Sequence, residues 1–339
     1  MRRPVLVTHV RALLGIVLCL VGLESPLADD AAAPTFDVPA WLFPINPPAS
    51  PSAATPAAAD GSQLLQVPNS QARFTRAELT DLYSVPDWHP TEHPPMPAVV
   101  AQGRKPDVYA CGYCHLPGGE GRPENAALAG LPAQYIIRQV RDIATHARRI
   151  PWTGPEYRPA AFMTRVAENA TDAETAAAAA YFSTLALRKR RADVIETDRA
   201  PRMHVAGWMY VPTASTGDEP LGARILEVAR DLERHELRDP EAEYVAYVPV
   251  GSVERGRKLA TTGDGRTLAC AGCHGPELRG VGEVPPIAGR SPTYLLRQLI
   301  AFRTGARDTP AAGPMKPVVA PLDVDEMIAL AAYVGSVPP

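Results

Sequence analysis

The chain has 339 residues, 34 of them Lys or Arg and 37 Asp or Glu, and its formal net charge of −3 gives no ground for a nucleic-acid or anionic-membrane partner. The length leaves room for two small domains plus additional segments. Four of the five cysteines fall in two copies of one five-residue pattern, so no stray thiol remains after the first nineteen residues.

Residues 1–33 read as a secretory signal peptide: Arg2, Arg3 and Arg11 precede twelve mostly apolar residues, Ala12 to Leu23. About twenty apolar residues are needed to span a bilayer, so this stretch is a leader and not a span. The cleavage site is poorly marked, because Pro26 and Pro34 lie at or beside the candidate positions after Ala28 and Ala33. An uncleaved leader would act as a membrane tether. Removing residues 1–33 takes away three cations and three carboxylates and leaves the net charge at −3.

Residues 34–97 form a Pro/Ala-rich arm. Its first half, to about residue 70, cannot bury enough apolar surface to offset its ordering entropy and is expected to be extended and mobile. Trp41 and Trp88 are expected to pin it to the body, and Phe74–Tyr83 could form one short helix.

The organising feature further on is an internal repeat. A shift of 159 carries Cys111-Gly-Tyr-Cys114-His115 onto Cys270-Ala-Gly-Cys273-His274, and Tyr135-x-x-Arg138-Gln139 onto Tyr294-x-x-Arg297-Gln298. Beyond that the shift falls to 152, matching Met163 with Met315, Glu174 with Glu326 and Tyr181 with Tyr333, so the first copy holds a loop seven residues longer. Each copy is expected to form three helices. The middle one starts near Pro132 or at Ser291-Pro292, and the last at Thr171-x-x-Glu174 or Asp323-x-x-Glu326, both with capping-box spacing. Tyr181 and Tyr333 are expected to pack across Gly103 and Gly256.

Between the copies, residues 188–249 are an insertion without internal counterpart. It opens with Arg188-Lys-Arg-Arg191, expected as solvated cations at a helix C-terminus. The runs Met203–Val205, Trp208–Val211, Arg224–Val228 and Tyr244–Val250 predict a small β element.

Cys-x-x-Cys-His is the c-type haem attachment pattern. Each thiol can add across a haem vinyl group to form a thioether, and the following histidine is then placed to ligate iron. A zinc site joining the four thiols would leave both histidines unexplained, and a redox dithiol needs only one copy. Cys111, Cys114, Cys270 and Cys273 are therefore the expected anchors of two covalent haem c groups, with His115 and His274 as proximal ligands. A backbone carbonyl is expected on the second ring nitrogen of each.

Met163 and Met315 share a repeat position eighteen residues before the tyrosine and are the candidate sixth ligands, each on an extended loop crossing a haem face. His146 is the rival in the first copy but aligns with Gly305 at a helix end. Met203, Met209 and Met327 are expected to be core filler.

Together these features resemble class I cytochrome c, and the tandem arrangement resembles the dihaem c-four type. The likeness covers residues 98–187 and 250–337 and rests on the attachment motif, on Ala-Gly before Tyr-x-x-Arg-Gln, on the late Met and on Leu330-Ala-Ala-Tyr333. It implies a mainly α fold: two tandem haem domains at 98–187 and 250–339 joined by the β-containing insertion. In such relatives a proline supports the proximal histidine; here Pro285 holds that place in the second copy, and Ala126 in the first. The implied role is a periplasmic carrier of single electrons, meeting redox proteins such as a respiratory oxidase or a dehydrogenase by transient contact. Two alternatives stand beside it: a cytochrome subunit of a membrane-associated respiratory or dehydrogenase complex, and a dihaem peroxidase with one open iron.

Overall fold

In the computed structural model the described residues are Met1, 36–46, 62–213 and 217–339. The leader, its cleavage site and Cys19 lie outside the described residues, as do positions 47–61.

Ahead of the first repeat, strands β1 (Leu64–Leu65) and β2 (Phe74–Thr75) pair antiparallel and lead into helix α1 (Arg76–Thr80). The α1 start is fixed by a full capping box between Thr75 and Glu78. The first repeat then runs through α2 (Ala98–Ala101), α3 (Cys111–His115), α4 (Ala133–Ala144), α5 (Arg158–Asn169) and α6 (Asp172–Thr184). Strands β3 (Asp193–Glu196), β4 (Arg199–Pro201), β5 (Met203–Ala206), β6 (Met209–Pro212), β7 (Asp218–Pro220) and β8 (Leu226–Ala229) follow, then α7 (Leu232–Glu236) and β9 (Tyr244–Val248). The second repeat contains α8 (Ser252–Thr262), α9 (Ala271–His274), α10 (Pro292–Arg303), a 3-10 turn (Pro310–Met315), α11 (Lys316–Val319) and α12 (Val324–Ser336). No helix among the described residues is long and apolar enough to cross a membrane.

The fold is thus helical with added sheet. Three strands form one sheet in the order β3-β9-β8, with β3 parallel and β8 antiparallel to β9, while β5–β6 and β4–β7 are antiparallel pairs. The predicted runs correspond to β5, β6, β8 and β9; strands β3, β4, β7 and helix α7 were not expected. Ile225, Tyr244, Ala246 and Val248 from this region share one core with Leu259, Leu296, Ile300 and Met327 of the second repeat. A single buried carboxylate joins the two. Glu227 on β8 accepts hydrogen bonds from Ser291 Oγ (2.7 Å) and Thr293 N (3.0 Å) at the start of α10.

The extended arm is corrected over its described part. Leu42 and Phe43 are each 1% exposed and belong to that same core. The apolar triplet Trp41-Leu42-Phe43 supplies the burial that the Pro/Ala composition lacks. Trp88 packs with Val67, Leu79 and Leu237, and its Nε1 donates to Leu237 O at 2.7 Å. Trp41 packs against the main core, and its carbonyl accepts from Tyr210 Oη at 2.8 Å. The basic run is corrected at one position: Arg188, Lys189 and Arg190 are exposed as expected, whereas Arg191 is buried, its backbone N–H bonds Gly289 O (2.8 Å) and its guanidinium bonds Gly121 O (3.1 Å), so it bridges the two repeats.

Candidate haem sites

Each attachment motif forms a single helical turn, α3 or α9, which presents its two cysteines and its histidine on one short element. After each turn the chain doubles back. Gly121 (φ 68°) and Gly280 (φ 80°) make this possible, and their N–H groups bond the carbonyls of His115 (3.0 Å) and His274 (2.8 Å). A Cβ at either glycine would come within 2.6 Å of the returning backbone.

The returning loop delivers a carbonyl to each imidazole: His115 Nδ1 bonds Ala126 O at 2.8 Å, and His274 Nδ1 bonds Pro285 O at the same 2.8 Å. A carbonyl only accepts, so Nδ1 carries the proton and the Nε2 lone pair is left for a metal. Burial pushes both imidazoles below the ordinary histidine pKa, against the opposing effect of these hydrogen bonds, which keeps them in the ligating neutral form. Ala126 thus does for His115 what Pro285 does for His274.

A cleft enclosing about 1640 Å³ of non-atom space, open mouth included, runs beside α3 and is lined by Cys111, Cys114 and His115 together with Met163. Met163 lies in the second turn of α5, so the expected extended loop is corrected to helix. Pro159 suits a first helical turn and the following Ala-Ala-Phe-Met favours helix. Met315 likewise ends a 3-10 turn and packs, with Cys270, against the margin of the main core. His146 lies apart from the cleft, with a left-handed φ of 57° like Gly305 at 72°, a side chain 61% exposed, and Glu168 at 3.1 Å. Met209 and Met327 are buried in the main core, and Met203 packs against a smaller cluster.

The predicted helix starts recur in the structure. Pro132 precedes α4, Ser291 Oγ caps α10 by accepting from Tyr294 N, and the Thr171–Glu174 and Asp323–Glu326 capping boxes are both complete. Tyr333 packs over Gly256, whose Cβ would meet Ala329 O at 1.9 Å and Tyr333 Cβ at 2.8 Å. The first-copy expectation is corrected: Gly103 faces the backbone of Val108–Ala110, and Tyr181 instead donates to Pro117 O at 2.8 Å.

Sequence reasoning missed a second set of residues where the repeats meet. Arg148 donates to Gln139 Oε1 (2.8 Å) in its own repeat and to Tyr294 Oη (3.0 Å) and Gln298 Oε1 (3.0 Å) in the other. Its repeat partner Arg307 mirrors it, with bonds to Gln298 (3.0 Å), Gln139 (2.8 Å) and Tyr135 (3.5 Å). Arg290 reaches from the second repeat to the carbonyls of Ala127 (2.6 Å) and Ala129 (3.0 Å), and burial pushes its guanidinium down to about 10, still protonated at neutral pH. None of these three cations has a carboxylate within 4 Å among the described residues. Arg148 and Arg307 keep the 159-residue shift, and that register was the signal available in the sequence.

These observations fit a haem. Two thiols, an imidazole with a free Nε2 lone pair and a thioether all line the cleft, and the Arg148 guanidinium in the same lining, without a carboxylate partner, suits an acidic group. Tyr157, 4% exposed and lining the same cleft, has a hydroxyl with no partner. The zinc alternative finds no support, since no three His, Cys, Asp or Glu side chains converge among the described residues.

The Cytochrome c family model matches residues 100–186 and 253–338. The chain is 28% identical over 236 residues to a thiosulfate dehydrogenase electron acceptor of Thiomonas intermedia (strain K12), covering 69% of this chain and 81% of the relative. It is 27% identical over 241 residues to cytochrome c4 of Azotobacter vinelandii, covering 70% and 87%. Among solved structures, thiosulfate dehydrogenase from Marichromatium purpuratum aligns with a TM-score of 0.44 and 30% identity, over 68% of this chain and 37% of that one. With two attachment turns, two carbonyl-held histidines and a family match over both repeats, the chain belongs to the cytochrome c family as a dihaem member with two covalently bound haem c groups, similar to cytochrome c4.

Proposed function

We propose that the chain is a periplasmic carrier that passes single electrons between redox partners, with His115 and Met163 as axial ligands of the first haem and His274 and Met315 of the second. Cys111, Cys114, Cys270 and Cys273 are the thioether anchors. The observation that carries the reading is the lining of one cleft by Met163 together with a carbonyl-held His115. When bound, haem iron supplies a one-electron couple, and a thioether ligand raises its potential. The carbonyls on Nδ1 fix the tautomer of His115 and His274, which would hold the iron through Nε2, and Met163 and Met315 would take the remaining position, leaving none for peroxide. Transient, weakly buried encounters suit such transfer.

The test is the ferric near-infrared spectrum of the haem-stained protein, followed by a redox titration. Methionine-to-iron absorbance from both haems and two high-potential steps are expected; absence of that absorbance overturns the reading.

A second reading, a cytochrome subunit serving a dehydrogenase, is favoured by the relative named as an electron acceptor of thiosulfate dehydrogenase. Here the partner would donate electrons directly. Rapid reduction of this chain by a purified thiosulfate dehydrogenase supports it, and reduction no faster than by thiosulfate alone sinks it.

A further inference from the structure

The two attachment turns have different surroundings. In the second repeat, Gly272 is exposed and Val281 is 60% exposed, so solvent reaches that face. In the first repeat the matching face is covered. Tyr113, between the two cysteines, is 4% exposed; its hydroxyl donates to Leu79 O at 3.2 Å, and the 188–249 segment closes over its ring.

That closure brings charge. The Arg238 guanidinium sits 3.5 Å from the centroid of the Tyr113 ring and donates to Tyr113 O at 3.0 Å. Arg238 is partly buried, its Nε has no hydrogen-bond partner, and no carboxylate lies within 4 Å of it among the described residues. The neighbouring groups do not cancel it. Arg122 is offset by Glu124 at 3.0 Å, Asp239 is committed to Arg234, and the buried His235, held between Arg122 and the Tyr244 hydroxyl, is neutral. At the repeat-related positions Tyr113 becomes Gly272 and Arg122 becomes Val281, and among the described residues no guanidinium stacks on the second attachment turn as Arg238 does on the first.

We propose that the 188–249 insertion sets the two haems apart in potential, by laying the uncompensated Arg238 charge against the attachment side of the first haem alone. A fixed cation in a low-dielectric surrounding disfavours the more positive ferric state over the ferrous one, so the first haem takes its electron at the higher potential. The segment grips as well as charges. Arg191 holds Gly121 O, and Arg122 links to His235, so the loop that carries the Ala126 carbonyl to His115 is tied to the insertion. Electrons received at the more open second haem would then settle on the covered first one.

This inference rests on the reading of both haems as His/Met one-electron centres, and its test separates the two. Optical redox titration is run on the full haem-loaded protein, on Arg238→Gln, and on the charge-retaining Arg238→Lys. Met163→His, which removes the methionine ligand from one iron, marks which step belongs to the first haem. Arg238→Gln is expected to shift the reduced-to-oxidised equilibrium of the first haem by about tenfold toward oxidised, which is about 59 mV for one electron, with the second step unmoved. Arg238→Lys is expected to stay near wild type. Equal movement of both steps, movement of neither, or a Lys variant that falls with the Gln variant overturns the inference. If the Gln variant does not load haem, the wild-type titration decides: a first-haem step at or below the second overturns it. Failure of the ligation reading would show instead as missing near-infrared absorbance in the wild type.

Discussion

The two haem domains carry the same attachment chemistry and complete it with different scaffolding. In the second, an eleven-residue N-terminal helix, α8, crosses the last helix, α12, at Gly256, close enough for Ala329 O to occupy the place of a glycine Cβ. In the first, the corresponding helix has shrunk to the four residues Ala98–Ala101, and Gly103 lies beyond it, between the isolated bridge residues Gln102 and Arg104. What the first domain loses in its own helix it regains from outside, through Trp88, Leu79 and the insertion. A haem site of this type needs its attachment turn, returning carbonyl and distal segment held in place, and it tolerates several ways of holding them.

The largest test of that contrast is Gly256→Ala. The added methyl meets backbone on α12, which no rotamer change relieves, so the two helices must part at a cost of about 3 kcal/mol. Thermal unfolding followed at the second haem should show the loss, with the first haem's ligation band unaffected. A variant as stable as wild type would mean that the α8–α12 crossing does not support the second site.

Much of this was legible locally. Cys-x-x-Cys-His spacing, the two capping boxes and the Ser291-Pro292 start all encode geometry within one helical turn, and sequence spacing reports such geometry directly. Part of the shortening is local as well: Pro106 stands where the second copy has Leu259, and the residue before a proline is pushed out of the helical region, so no helix runs on through Lys105. The loop expected around Met163 is helix for a related reason, since Pro159 suits the first turn of a helix as well as it suits a loop. The burial of Leu42 and Phe43, the seat of Arg191 and the Arg238–Tyr113 contact join residues far apart in the chain. No local pattern encodes those partners; they follow from tertiary packing.

The interface between the domains offers a smaller effect with a sharper signature. Arg148 and Arg307 share Gln139 and Gln298 as acceptors, so removing either arginine leaves each glutamine oxygen one donor, while removing both leaves the two oxygens with neither. Arg148→Leu and Arg307→Leu should each cost about 2 kcal/mol, and the double variant should exceed their sum by about 1 kcal/mol, because only then do both glutamine oxygens lose their last donor. Denaturant unfolding of the four proteins closes the cycle. Strict additivity would show that the two arginines act independently and that the near-symmetry of the interface is incidental.

The smallest effect lies in the capping boxes that the domains have in common. The side-chain hydrogen bond from Arg104, against the opposing pull of burial, holds the Glu174 carboxyl down at about 2, and Arg266 likewise lowers Glu326 in the second domain. A carboxylate whose folded pKa is depressed contributes stability that is complete above its unfolded value, near 4.5, and is lost as pH falls through about 2. Arg104 is half exposed, so solvent screening reduces the contribution to on the order of 1 kcal/mol. Glu174→Gln should therefore be less stable than wild type by that amount at neutral pH and should converge with it in strong acid, as read by thermal melts from pH 7 downward. A difference that persisted unchanged to pH 2 would assign the loss to cap geometry instead of charge, and the two capping boxes would then be equivalent whatever arginine stands beside them.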